Sequence, residues 1–473
     1  MPNIFSFIFP KDKPLFKYIF TLAFPVIISN ISRVAMGLID TMMVGHLGAK
    51  AIAGVGMASM VTWVVMSLGI SFRTGTQTVV SRRLGEKKYQ ECSMAMRNMQ
   101  LFVFIIAPPL TYLCFNYTSE IMSFFLKDSE THNLCVDYAR YIFLSLYFIY
   151  VSFVFQGFYT GIEETKIHMK VVLFSNLVNF YLNVGLIFGS NGINEFLDGT
   201  IFSSISILWT AFPFPELGVK GAAIGTLVAT IVACIHYCIY LFSDDLKTKY
   251  QIFRLNINKN MLTRQLIIGY PIALQEMMVM FSFTIFYKII AIIGIVQLAA
   301  TQIIFKIMHA SFMPAIGVGQ ACATLVGKYL GEKNPNKAEV AIKESLRGSI
   351  FIMGSIGFCF ACFAQYIIPL FITDQDVILY AVPGLRFVGL LQFADAVCFT
   401  TWFALTGAGD TKFPAFVDVL THWLLFIPLC YFLGIYLGYG FWGAWVSFAA
   451  HLVFFAIFIY ARFKKGHWKK IKF

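Results

Sequence analysis

Leu84-Gly85-Glu86-Lys87 returns 246 residues later as Leu330-Gly331-Glu332-Lys333. At the same offset Pro25 returns as Pro271 and Thr78 as Thr324, while Thr160-Gly161 followed by Thr165-Lys166 returns as Thr406-Gly407 followed by Thr411-Lys412. Ungapped agreement over so many residues marks a duplication. Both copies are largely apolar, so the repeat describes two matching membrane bundles with an interface between them, which is where transporters built from repeats place their substrate.

Of 473 residues, 58% are hydrophobic and 13% charged, too little polar surface to clothe a water-soluble globule of this size. The chain reads as an integral membrane protein. A helix needs about 20 apolar residues to cross roughly 30 Å of hydrocarbon, and twelve stretches qualify: 15–45, 51–80, 95–118, 134–160, 166–189, 219–243, 264–294, 297–326, 345–372, 377–407, 412–437 and 440–462. The fold class is therefore an all-α membrane protein, its twelve transmembrane helices forming two pseudo-symmetric six-helix bundles. The N-terminal lobe is expected over 1–243, a cytoplasmic linker over 244–263, and the C-terminal lobe with a basic tail over 264–473. Six spans return the chain to its starting side, so the two copies run parallel about an axis near the membrane normal.

A net charge of +12 raises the question of nucleic acid, which the positions of the basic residues answer in the negative. The N-terminus, the even-to-odd connections and the tail from Arg462 hold 27 of the 36 Lys and Arg, while the opposite connections hold only Lys50, Lys127 and Lys220. The positive-inside rule then places both termini in the cytoplasm of an inner (plasma) membrane protein. The first apolar run is too long for the core of a cleavable signal and is expected to remain as a span. The ten cysteines are read as small apolar residues rather than disulfides or metal ligands. Gly218-x-x-Gly221 matches Gly440-x-x-Gly443 at a shorter offset, so the first copy carries an insertion near 190–216, with Glu195, Asp198 and Glu216. It reads as a tolerated insertion, with an external cap as the other reading.

Phe24-Pro25, the run Gly37-Leu38-Ile39-Asp40-Thr41-Met42-Met43-Val44-Gly45, the segment from Gly75-Thr76-Gln77 to Arg83-Leu84-Gly85, and Thr406-Gly407-Ala408-Gly409-Asp410-Thr411-Lys412 together resemble the multidrug and toxic compound extrusion (MATE) family. The resemblance spans about 15–460. It implies two lobes around a central cavity that opens alternately to either side, with organic, cationic and amphipathic compounds exported by antiport against H+ or Na+. It also implies no cofactor beyond that ion, small-molecule substrates and the lipid bilayer as partners, no nucleic acid, and a monomer. Intramembrane proteases need motifs such as His-Glu-x-x-His or Gly-x-Ser-x-Gly, which do not occur. Gly407-Ala408-Gly409-Asp410 fits Gly-x-Gly-Asp but reads as a turn, so the chain is not expected to be an enzyme. The other transport reading is a flippase for lipid-linked or anionic compounds, kept open by Arg33, Arg73, Lys288, Lys306 and Arg386. Lined up in the cavity, these would favour an anionic substrate.

Ionisable groups within hydrocarbon are candidates for function because burying them is costly. Asp40 matches the family's first-span aspartate. A carboxylate taken out of water can carry a proton near neutral pH, and an ionised one among oxygen ligands can hold sodium; the bland alternative is a static pair with Arg33 or Arg73. Asn179 and Asn183, four apart and on one face with Asn176 nearby, are the expected amide partners; one branch of the family has aspartate at the second position. In the second lobe Asp395 looks like the tenth-span aspartate of the sodium-coupled branch. Glu276 lies five residues after Pro271, whereas that branch has its glutamate eight after the proline, here Val279. Transient Na+ at Glu276 and Asp395 is one expectation; neutralisation of Lys288, Lys306 or Arg386 is the other. Asp418 and His422, four apart, form either a proton relay or a structural hydrogen bond. Met36, Phe155, Tyr159, Met277, Phe281 and Trp402 are the candidate cavity lining, since aromatic faces and thioethers suit varied organic compounds.

Overall fold

The computed structural model describes residues 10–126, 128–197, 207–210, 213–254 and 256–471. Twelve helices are long and apolar enough to cross a membrane, as the hydropathy pattern predicts: α1 Lys13–Gly45, α2 Ala49–Gly85, α3 Tyr89–Asn116, α4 Ser129–Gly161, α5 Thr165–Leu197, α6 Val219–Leu241, α7 Lys259–Ile293, α8 Ile295–Gly331, α9 Pro335–Ile367, α10 Gln375–Ala408, α11 Lys412–Tyr436 and α12 Gly440–Lys465. Most begin or end outside the apolar stretches because polar turns extend them. The Asp12 side chain accepts from Leu15 N at 3.0 Å and Asn258, at the equivalent position of the second copy, accepts from Met261 N at 3.1 Å, each satisfying an orphan donor of the first turn.

The duplication reaches the level of single backbone angles. Lys87 and Lys333 have φ of 60° and 58°, Glu163 and Gly409 have 69° and 88°, and Gly218 and Gly440 have 56° and 54°. Positive φ is uncommon outside glycine, so matched occurrences at repeat positions identify turns of one design used twice. The Gly407 to Asp410 segment is such a turn, with Asp410 held by Arg462 at 2.8 Å.

The packing cores cross the expected boundary between lobes. Leu15, Ile19, Leu22 and Ala23 at the start of α1 sit in a core built otherwise from the second copy, beside Val318, Leu325 and Trp468. Met261 and Ile268 at the start of α7 sit reciprocally in the core of the first, beside Met96 and Phe158. The C-terminal part of α1 returns to its own lobe, where Met43 and Val44 pack on Ile187 and Val219. Pro25 and Pro271 lie inside α1 and α7, where a missing N–H loosens a helix. Thus the lobes predicted as 1–243 and 264–473 exchange the first turns of their leading helices.

A pseudo-two-fold seam joins the lobes. Thr78 Oγ1 donates to Thr406 O at 3.2 Å, and its repeat equivalent Thr324 Oγ1 donates to Thr160 O, the equivalent acceptor, at 3.1 Å. Gly85 faces the backbone of Lys328 and Gly331 faces that of Arg82, so closely that neither position has space for a Cβ. Gln77 Nε2 donates to Thr324 Oγ1 at 2.9 Å, and Lys328 Nζ reaches Glu163 at 2.7 Å. These contacts lie at the end of the bundle where both termini sit, marked by Arg82 Nη2 donating to Ile471 O at 2.8 Å. Among the described residues, no hydrogen bond joins the opposite halves of α1 and α2 to those of α7 and α8. The lobes meet through these contacts at one end of the bundle.

The described residues of the first copy's insertion pack against α5. Gly189 bends that helix through φ 68°, and the short helix Ile207–Thr210 folds back, Trp209 Nε1 donating to Tyr181 O at 2.8 Å and Tyr181 Oη to Leu208 O at 2.7 Å. Asp198 lies outside the described residues.

Candidate functional site

Asp40 stands in the C-terminal half of α1, and Asn183 Nδ2 of α5 donates to its Oδ1 at 2.7 Å. Asn179 Nδ2 extends the chain of amides to Asn183 Oδ1 and Thr226 Oγ1, both at 3.4 Å, and Asn176 Nδ2 donates to Ser32 Oγ at 2.7 Å. A cavity of about 140 Å³ opens on this group, lined by Gly37, Asp40, Tyr138, Asn183 and Thr226 among others. It is roomy and polar enough for a few waters or a hydrated ion. The static pair with Arg33 or Arg73 is not formed: among the described residues Asp40 has no cation within salt-bridge distance.

Arg33 keeps exposed surface and lies within electrostatic range of Arg73 on α2, His168 on α5 and Tyr237 on α6. Arg73 rests 6.0 Å from the centroid of the Phe153 ring, and its Nε is buried without an acceptor. His168 Nδ1 is bonded to Tyr237 Oη at 2.5 Å.

In the second lobe Asp395 is 2% exposed and its Oδ2 has no hydrogen-bond partner. Glu276 is half-buried and lies within electrostatic range of Asp418 and of Arg73. No hydrogen bond or ion pair among the described residues links Glu276 or Asp395 to Lys288, Lys306 or Arg386; the two lysines are exposed and Arg386 Nη2 donates to Gln365 at 3.4 Å.

Asp418 is the centre of a buried polar island. Its Oδ2 accepts from Gln275 Nε2 at 2.6 Å, its Oδ1 meets His422 Nδ1 at 3.1 Å, and His451 Nε2 of α12 stands 3.9 Å away. The two imidazole rings are tilted by 55° with centroids 3.9 Å apart. A π-type turn over Thr421–Phe426 widens α11 at this point. Trp402 Nε1 donates to Gln275 Oε1 at 3.4 Å. Removing the Asp418 carboxylate takes the acceptor from buried Gln275 Nε2 and the counter-charge from two buried imidazoles, while His422 Nδ1 keeps the backbone carbonyl of residue 418 at 2.9 Å. Asp418→Ala is expected to lower stability by about 3 kcal/mol, read as a fall in the melting temperature of the detergent-purified protein; an unchanged melt would mean water already satisfies the island.

Phe155 and Tyr159, expected as cavity lining, are 5% and 0% exposed and pack in the first lobe's core, stacked on Tyr237 at 5.6 Å each. Met36 is likewise buried, Met277 and Trp402 are half-buried, and Phe281 is exposed. His451 had no sequence signal, since its partners are 33 and 29 residues back on another span. Cys359-Phe360-Ala361-Cys362 is a Cys-x-x-Cys spacing that a reading of the cysteines as scattered apolar residues passes over; both thiols are free and exposed on α9.

The MatE family model matches the chain twice, over residues 25–184 and 271–432, so the matched segments begin at the two equivalent prolines. The chain belongs to the MATE family. Among curated MATE relatives, a probable multidrug resistance protein NorM of Thermotoga maritima is 25% identical, covering 99% of this chain and 97% of its own. The uncharacterized transporter YisQ of Bacillus subtilis is also 25% identical, over 97% and 96%. Among solved structures, a MATE protein in the straight conformation superposes with a TM-score of 0.85 at 19% identity, covering both chains fully. A MOP superfamily transporter from Pyrococcus furiosus, described as having a binding pocket of reverse polarity, gives 0.83 at 17% identity over 100% and 99%. At such identities the structural likeness concerns the fold.

Proposed function

We propose that this MATE protein is a secondary active efflux transporter, exporting amphipathic organic compounds by antiport with H+ or Na+ while a central cavity opens alternately to the two sides. The observation that carries the reading is the Asp40 site: a carboxylate without a cationic partner, bonded to one amide, opening on a small polar cavity within a hydrocarbon-spanning lobe. Such a group can be loaded and discharged, whereas a carboxylate locked to arginine cannot. Asp395, sealed with an unpaired oxygen, is a second loading position in the other lobe, and Asp418 with His422 offers a route for protons between Glu276 and the interior. The scheme needs no resident cofactor, only the coupling ion.

The experiment is reconstitution in proteoliposomes with a fluorescent organic reporter, under an imposed pH gradient and separately an imposed Na+ gradient. Counter-movement of reporter under one gradient, lost on its collapse, is expected; leakage indifferent to both gradients would sink the antiport reading and favour a channel.

A further inference from the structure

His451 is buried at a cost that no contact around it offsets. It is 4% exposed, and the Thr421 carbonyl comes near its ring without closing an aligned hydrogen bond to Nδ1. Its Nε2 stands 3.9 Å from Asp418 Oδ1, beyond hydrogen-bond reach. Phe426 and Phe455 pack against the ring, a setting that an apolar side chain would fill without leaving polar atoms unpaired. An imidazole kept there with an uncommitted nitrogen has the makings of a ligand.

Its neighbours are ligands of the same kind. Asp418, His422 and His451 are all buried, and each offers a donor atom within 4.8 Å of the other two. Ligand atoms about 2.0–2.1 Å from a tetrahedral ion lie roughly 3.3 Å from one another. Asp418 Oδ1 stands 3.1 Å from His422 Nδ1 and 3.9 Å from His451 Nε2, so these spacings bracket what an ion needs and modest ring rotations close the difference.

The surroundings are those of a built site. Gln275 Nε2 holds Asp418 Oδ2 at 2.6 Å and leaves Oδ1 turned to the imidazoles, and Trp402 Nε1 fixes Gln275 in turn; such outer partners orient ligating carboxylates. The π-type turn over Thr421–Phe426 sets His422 out of α-helical register, a distortion frequent at functional sites. The Asp418 side chain keeps 10% of its surface, which leaves a way in. Two imidazoles and one carboxylate suit Zn2+, Co2+ or Ni2+, whereas Mg2+ and Ca2+ ask for more oxygens.

We propose that Asp418, His422 and His451 form a binding site for one divalent transition-metal ion, Zn2+ or a chemical relative, which ties α11 to α12. His422 Nδ1 faces two oxygens, Asp418 O at 2.9 Å and Oδ1 at 3.1 Å, and so carries a proton in the empty site. The ion takes the place of that proton, which leaves to water, and its fourth position is filled by water. While it is held the pair cannot pass a proton, so occupancy closes the route assigned to Asp418 and His422 above. The site itself stands whether or not the chain exports.

The test uses the full chain, its purification tag removed, in nanodiscs titrated with Co2+ as a visible probe. One Co2+ per chain is expected, with the intense bands of a four-coordinate ion, displaced by equimolar Zn2+ and untouched by excess Mg2+. Zn2+ should also raise the melting temperature. His451→Phe, matched to the phenyl rings around it, should weaken Co2+ binding at least about a hundredfold, and Gln275→Met about tenfold, the effect of losing an outer partner. His467→Gln, on the exposed tail, should bind as the unmutated chain does. Zinc-edge X-ray absorption of the unmutated protein decides the matter even where a variant does not fold: two imidazoles and oxygen at about 2.0 Å are expected. Sulfur at about 2.3 Å would place the ion on Cys359 and Cys362 and overturn the proposal. So would the lack of stoichiometric binding, or full affinity in folded His451→Phe.

Discussion

Asp40→Asn is expected to reduce gradient-driven export to the level of empty liposomes while leaving the protein in the membrane in normal amount. The substitution preserves shape and the ability to accept from Asn183 Nδ2, now at 2.7 Å, so the amide chain through Asn179 and Thr226 can persist. What it removes is any change of charge, and a group that is neutral at every working pH can neither load a proton nor neutralise sodium. Folding should tolerate the change because a neutral amide is cheaper to keep within hydrocarbon than a carboxylate. Full coupled export by Asp40→Asn would move the coupling role to Asp395, whose own Asn variant is the matched measurement; activity in both would leave neither carboxylate in the mechanism.

The second large effect is expected at the seam. Gly85→Val drives a branched side chain into the Lys328 carbonyl, a backbone group that has no rotamer through which to withdraw. Overpacking of this kind costs about 1–3 kcal/mol, enough to change a conformational equilibrium by on the order of ten- to a hundredfold. Because the clash lies between lobes, it is relieved by parting them, so the population should shift toward the state closed at the other end. Spin labels at positions 87 and 333 in a cysteine-free background should report a longer separation. Gly56→Ala, where a Cβ meets nothing within 4 Å, should leave the distances as they are. An unaltered distance distribution in Gly85→Val would show that the seam is not what holds this state.

Much of the architecture could be read from the chain because hydrocarbon imposes a length and an apolar composition on every span, and because the duplication repeats even the turns, as Lys87 and Lys333 show. The pairing of Asn183 with Asp40 was legible for a related reason: a polar side chain in a span must find another. Other features were out of reach because they depend on which helices touch. His451 joins Asp418 only through the packing of α12 on α11. Phe155 and Tyr159 have the composition of cavity walls but turn inward on Tyr237. The alternative of a static pair between Asp40 and Arg33 or Arg73 is not what forms, and the groups within electrostatic range of Arg33, namely Arg73, His168 and Tyr237, are 40 or more positions away.

The exchange of leading helices has a consequence for biogenesis. Leu15, Ile19 and Leu22 are synthesised well before the residues that bury them, such as Val318, Leu325 and Trp468. Contacts of such long sequence separation form late. The span α1 must therefore be held by lipid or by insertion machinery until α8 has been threaded. A chain arrested after six spans would display an unclaimed apolar stripe at its start, and should be the form that quality-control proteases recognise.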